Sequence, residues 1–177
     1  MENSLWRRIL SDKLKLFILA AISVRTLVLA VGAFLPLTLP ETWRQTDTLG
    51  VALRYWLRFT VEPTSAPRWL PAVLNGGDTN GVMPMEFPLL NLLTAPAFAA
   101  GPYYGKALAI LLHLGLCLGL TLANAWIWRG IKVGRARAST AMLLLPLLSF
   151  SANYYGRFMP DYLSMLLVLS AVGLSWH

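Results

Sequence analysis

One run limits what this chain can fold into: LKLFILAAISVRTLVLAVGAFLPLTL, Leu14 to Leu39, where the only charge after Lys15 is Arg25. A run of that length covers the roughly 20 apolar residues needed to cross a hydrocarbon core about 30 Å thick. Arg25 is costly there, about 2.5–3.5 kcal/mol on insertion scales, so it is expected to face other helices, snorkel to the interface or meet a carboxylate. The residues ahead of the run, with Arg7, Arg8, Lys13 and Lys15, are polar and basic. The run is too long for a signal core of about 7–15 residues and lacks a small-residue cleavage site, so it reads as an uncleaved first span.

Composition agrees. Of 177 residues, 56% are hydrophobic and 13% charged, against about 25% charged in soluble domains. The net charge of +7 does not indicate a nucleic-acid binder, because the basic residues cluster beside apolar runs rather than along one polar face. Cys117 is the only cysteine, which excludes an internal disulfide and a cysteine-based metal site and leaves the redox compartment open.

Pro36 and Pro40 end the first span. An outer loop over residues 40–105 follows. Within it Leu49, Ala52, Leu53, Trp56 and Leu57 share one helical face, which predicts an amphipathic interfacial helix over about 47–59 opened by Asp47. Residues 61–84 are rich in Pro, Gly, Asn and Thr and read as loop. Glu86 then precedes a second juxtamembrane helix over about 87–99, with Pro88 in its first turn and Pro96 expected to break it. Further spans are predicted over about 106–128, 138–152 and 161–177. The fold class is therefore an all-α membrane protein, one domain of about four spans with two amphipathic helices in its first outer loop. The last span stops short at His177, so the chain reads as an amino-terminal piece.

Arg129, Lys132, Arg135 and Arg137 join the basic amino terminus in marking the cytoplasmic side. The protein is thus expected in the plasma (inner) membrane, amino terminus cytoplasmic and first long loop outside. Glu41, Asp47, Glu62, Asp78, Glu86 and Asp161 then fall on the outer side, with Arg44, Arg54, Arg58, Lys106 and Arg157. Acids and bases at an outer interface suit transfer from a lipid phosphate. A carboxylate can take the proton of an attacking hydroxyl, worth about 10²- to 10⁴-fold in rate, while arginine or lysine stabilises the charge on the departing phosphate.

The motifs WRQTDTLGVAL, MEFPLLNLL and YYGRFMPDYLSMLL occur in that order. Together they resemble the amino-terminal part of the GT-C superfamily of membrane glycosyltransferases, nearest the protein mannosyltransferases and lipid A aminoarabinose transferases. The resemblance runs from about Leu14 to the end. It implies an inverting transfer of sugar from a polyprenyl-phosphate donor to a hydroxyl on a lipid, glycan or protein. By position it implies Asp47 as the first acid of the site, here the candidate base, and Glu86 and Asp161 as its further acids; Arg44, Lys106 and Arg157, basic residues on the same outer face, are the candidate phosphate contacts. The pattern departs from the family where Asp47 stands between two threonines and where Phe87 follows Glu86. A divalent cation among the three acids is the one cofactor these residues admit, since hard cations take oxygen ligands, although no spacing enforces coordination.

Plainer readings stand beside these. Asp47, Glu86 and Asp161 each suit a helix start, where the dipole favours an acid by about 0.3–1 kcal/mol. His113, mid-span among leucines, reads as packed between helices. Trp56, Trp69, Tyr103, Tyr104, Tyr154 and Tyr155 match an interfacial aromatic belt. The alternative function is a non-catalytic membrane fragment, or a partner subunit that binds lipid phosphate.

Overall fold

The computed structural model describes residues 2–37, 42–60, 89–130, 135–148, 155 and 160–176, and within these the side chains of 12–37, 48–57, 59–60, 89–129, 138–148, 155 and 160–176. The described chain is all-helical, without a strand. Two stretches, Asp12–Gly32 and Leu89–Arg129, are long and apolar enough to cross a membrane.

Helix α1 covers Glu2–Gly32. It begins well before the expected Leu14, because Leu, Arg, Lys and Glu ahead of the apolar run are good helix formers with no glycine or proline among them. It ends at Gly32 rather than Leu39. There the N–H groups of Ala33, Phe34 and Leu35 donate to the carbonyls of Ala30, Val31 and Gly32, a tightened last turn, and Pro36 bars α geometry at the residue before it.

Helix α2 spans Thr42–Thr60, five residues earlier than expected. Its buried face is Thr48, Leu49, Val51, Ala52 and Tyr55. Leu53, Trp56 and Leu57 of the expected face are only half-buried. The face is rotated because Val51 and Tyr55 pack on Ala95, with Trp56 and Leu92 beside them. Helix α3, Leu89–Thr94, runs into a 3₁₀ turn at Ala95–Ala100 with Pro96 near its start. The single helix expected over 87–99 is thus divided, since proline lacks the N–H that an α-helix interior requires. Gly101, at φ 84°, makes the corner into α4, Gly101–Gly130. Only glycine takes that conformation without strain, and it starts α4 five residues before the expected Lys106.

Helix α5 covers Arg135–Leu144 and continues as a 3₁₀ turn, Leu145–Leu147. Pro146 forces that change. Helix α6 covers Pro160–Ser175. The chain divides into two compact units: Met1–Leu29 with Leu116–Tyr155 and Asp161–His177, and Ala30–Gly115 with Gly156–Pro160.

In the first unit Ile18, Ile22, Ala125 and Leu143 form a core, with Leu118, Met142, Leu144 and Leu147 against it. Helices α4 and α6 run in the same direction there. Thr121 meets Tyr162, Asn124 meets Leu166 and Ser170, and Trp128 meets Leu169. The close approach has a steric basis at Gly173, where a Cβ would lie 2.7 Å from Ile127 Cγ2 and 3.0 Å from Trp128 Nε1. Outward from this core, Leu16, Phe17, Val24, Leu27 and Val28 of α1 are each more than three-fifths exposed. That apolar surface suits lipid better than water.

Candidate functional site

The α2–α3 junction holds the segment that carries Asp47. Asn91 Nδ2 donates to the carbonyl of Thr48 at 2.7 Å, with both residues buried. Asp47 directly precedes Thr48 and Glu86 lies five residues before Asn91, so this bond fixes the α2 position next to one candidate acid to the helix that follows the other. Asp47 is the sixth residue of α2, not its opening residue. The helix dipole, which acts within the first turn, therefore does not account for an acid at that place. The side chains of Asp47 and Arg44, and Glu86 and Arg157 altogether, lie outside the described residues.

Lys106 is engaged within the protein. Its Nζ donates to the carbonyl of Leu35 at 2.8 Å and sits 5.5 Å from the centre of the Tyr103 ring. Tyr103 in turn donates its hydroxyl to the carbonyl of Phe34 at 2.9 Å. A cation on carbonyls that the end of α1 leaves without helical partners is a favourable cap. This structural role accounts for Lys106 without a phosphate.

In the other unit, Asp161 is an exposed acid in the first turn of α6. In the same unit Tyr155 is 1% exposed, packed inside the protein rather than on the exposed aromatic belt expected of it. Its hydroxyl shares a 2.7 Å hydrogen bond with Thr26, and its ring meets Tyr162 edge to face, centroids 5.5 Å apart. Arg25 is half-buried in α1.

Helix α4 carries a polar stripe that pattern reading passed over: Cys117, Thr121, Asn124 and Trp128, spaced by three or four residues. That spacing was the available signal. Asn124 Nδ2 lies 3.0 Å from three acceptors, the carbonyls of Leu120 and Leu166 and the hydroxyl of Ser170. His113 is fully buried. Among the described residues no three of His, Cys, Asp and Glu come together as a metal site.

No protein-family model, curated protein or solved structure matches the chain.

Proposed function

We propose that this chain is the amino-terminal module of a GT-C-type membrane glycosyltransferase, with α1 and α4 crossing the plasma (inner) membrane and α5 and α6 entering it. It transfers sugar from a polyprenyl-phosphate donor to an acceptor hydroxyl at the outer face. The observation that supports this most is the Asn91–Thr48 bond, which with the Val51–Tyr55–Ala95 cluster anchors α2 beside Asp47. A catalytic acid needs such rigid support.

Asp47 takes the proton of the acceptor hydroxyl as its oxygen attacks the anomeric carbon. The bond from that carbon to the phosphate oxygen breaks, the polyprenyl phosphate leaves with the electron pair, and the anomeric centre inverts. Arg44 and Arg157 meet the phosphate; Glu86 and Asp161 orient substrate or a divalent cation. Lys106 is left to its cap on α1.

The test is sugar transfer from a panel of synthetic polyprenyl-phosphate sugars by membranes holding equal amounts of native protein and Asp47→Asn. Loss of a general base predicts a drop of about 10²- to 10⁴-fold. Near-native turnover by a stable Asp47→Asn protein removes Asp47 from the mechanism.

A further inference from the structure

The core of the first unit stops abruptly at one end. On α1, Ile18 and Ile22 are each 2% exposed, yet Leu14, one turn before Ile18 on the same face, is 52% exposed. Ile18 and Ile22 pack with Ala125 of α4 and Leu143 of α5. The face that α1 turns to the other two helices is therefore uncovered just beyond that layer. Basic residues stand at this opening. Lys15 precedes Ile18 by three residues and Ile22 by seven, and it is half-buried. Arg129 follows Ala125 by four and Leu118 by eleven, and it is exposed. Those spacings set each residue on the core-facing side of its helix, about 5–6 Å along the axis past the packed layer. Position 135 on α5 follows the same register, four residues before buried Ser139 and seven before Met142.

The described protein supplies no counter-ion here. Among the described residues neither Lys15 nor Arg129 forms a hydrogen bond or an ion pair. Residues 1–15 and 129–137 hold eight basic residues against two acids, Glu2 and Asp12. Like charges set on facing helices repel unless an anion comes between them. A phosphate group is the fitting anion, since arginine binds it through a planar fork and lysine as a point charge. The surroundings are apolar. At the level of Lys15, Leu14, Leu16 and Phe17 are exposed on α1. Beside Arg129, Trp128 pairs with the exposed Trp176, ring centroids 6.2 Å apart. Tryptophan next to basic residues marks the level of lipid headgroups, and basic pockets between membrane helices on the cytoplasmic side bind anionic headgroups. A soluble phosphate would leave the leucines and Phe17 unused, whereas acyl chains would cover them.

We propose that the end of the first unit where α1 and α4 leave their shared core binds one anionic phospholipid, its phosphate held between Lys15 and Arg129 and its acyl chains on the exposed apolar face of α1. The lipid is a resident ligand and not a sugar donor. It neutralises the two cations and ties α1 to α4 at their cytoplasmic ends. Lys13, on the side of α1 away from Ile18, takes no part. The site rests on the membrane placement of α1 and α4 and not on sugar transfer.

The full chain in detergent micelles holding equal amounts of phosphatidylglycerol and phosphatidylcholine tests it, with mass spectrometry of the intact complex counting the lipid each protein carries. The unmutated chain should retain one phosphatidylglycerol in preference to phosphatidylcholine. A basic residue at the headgroup level contributes about fivefold in binding, so Lys15→Gln and Arg129→Gln should each lower that preference about fivefold and the pair about twenty- to thirtyfold. If the pair fails to fold, the single variants carry the test. Lys13→Gln removes a charge from the same end and should leave the preference unchanged. An equal loss in Lys13→Gln means diffuse surface charge and overturns the site, as does the absence of any preference in the unmutated chain. Glycerol 3-phosphate at the lipid's concentration should displace nothing; displacement means that a soluble phosphate suffices and overturns the lipid assignment. Alkaline carbonate extraction separates this site from its premise: release of the chain from membranes removes the placement and the site with it, while a retained chain without lipid preference loses the site alone. Turnover by Asp47→Asn is measured independently of both.

Discussion

Replacing Tyr155 by phenylalanine removes one oxygen and leaves the ring, so its edge contact with Tyr162 survives and only the bond to Thr26 is lost. That bond is short, 2.7 Å, and its tyrosine is 1% exposed. Buried hydrogen bonds contribute about 0.5–1.5 kcal/mol net in general. Between membrane helices double-mutant cycles average about 0.6 kcal/mol and reach about 1.7. Thr26 has a fallback, because a helical threonine can turn its hydroxyl to a carbonyl one turn back. Tyr155→Phe is therefore expected to cost about 1 kcal/mol, roughly a fivefold change in the folding equilibrium. Thr26→Val should cost a similar amount, and the double variant little more than either, leaving a coupling of about 0.6–1.5 kcal/mol. Reversible unfolding in detergent micelles, followed by far-ultraviolet circular dichroism on all four proteins, measures it. Additive losses, with no coupling, would refute the claim that this bond ties Tyr155, five residues ahead of α6, to α1.

Gly173→Val should separate α4 from α6, because its Cβ meets Ile127 and Trp128; overpacking costs about 1–3 kcal/mol, and a shifted emission of Trp128 and Trp176 would report it. Lys106→Met should lower thermal stability by about 1–2 kcal/mol through the lost cap on Leu35, while sugar transfer by the folded fraction stays near native; selective loss of donor binding would return Lys106 to the phosphate.

The helical class and the two membrane-length helices are legible in the sequence, because long runs of Leu, Ile, Val and Ala without breakers leave the backbone few choices. Gly101 and Pro96 likewise act locally. What the pattern does not carry is anything decided by a distant neighbour. The buried face of α2 turns toward Val51 and Tyr55 because Ala95 packs there, and Asn91 finds Thr48 across 43 positions of chain. Tyr155 has the chemistry of an interfacial residue and the burial of a core one, its hydroxyl paired with that of Thr26. Lys106 reads as a free cation until the end of α1 is placed beside it. The position of Asp47 within α2 was missed for a related reason: the apolar period begins at Leu49, but a helix extends through any residues that do not break it.

The Asn124 amide has a consequence for biosynthesis. Of its three acceptors only the Leu120 carbonyl is made before it on the ribosome; Leu166 and Ser170 come more than forty residues later. Until they arrive, α4 carries a polar group held by its own backbone alone. Completion of α6 is then registered at a single side chain, and a nascent chain stalled before Leu166 differs chemically from a finished one at that point.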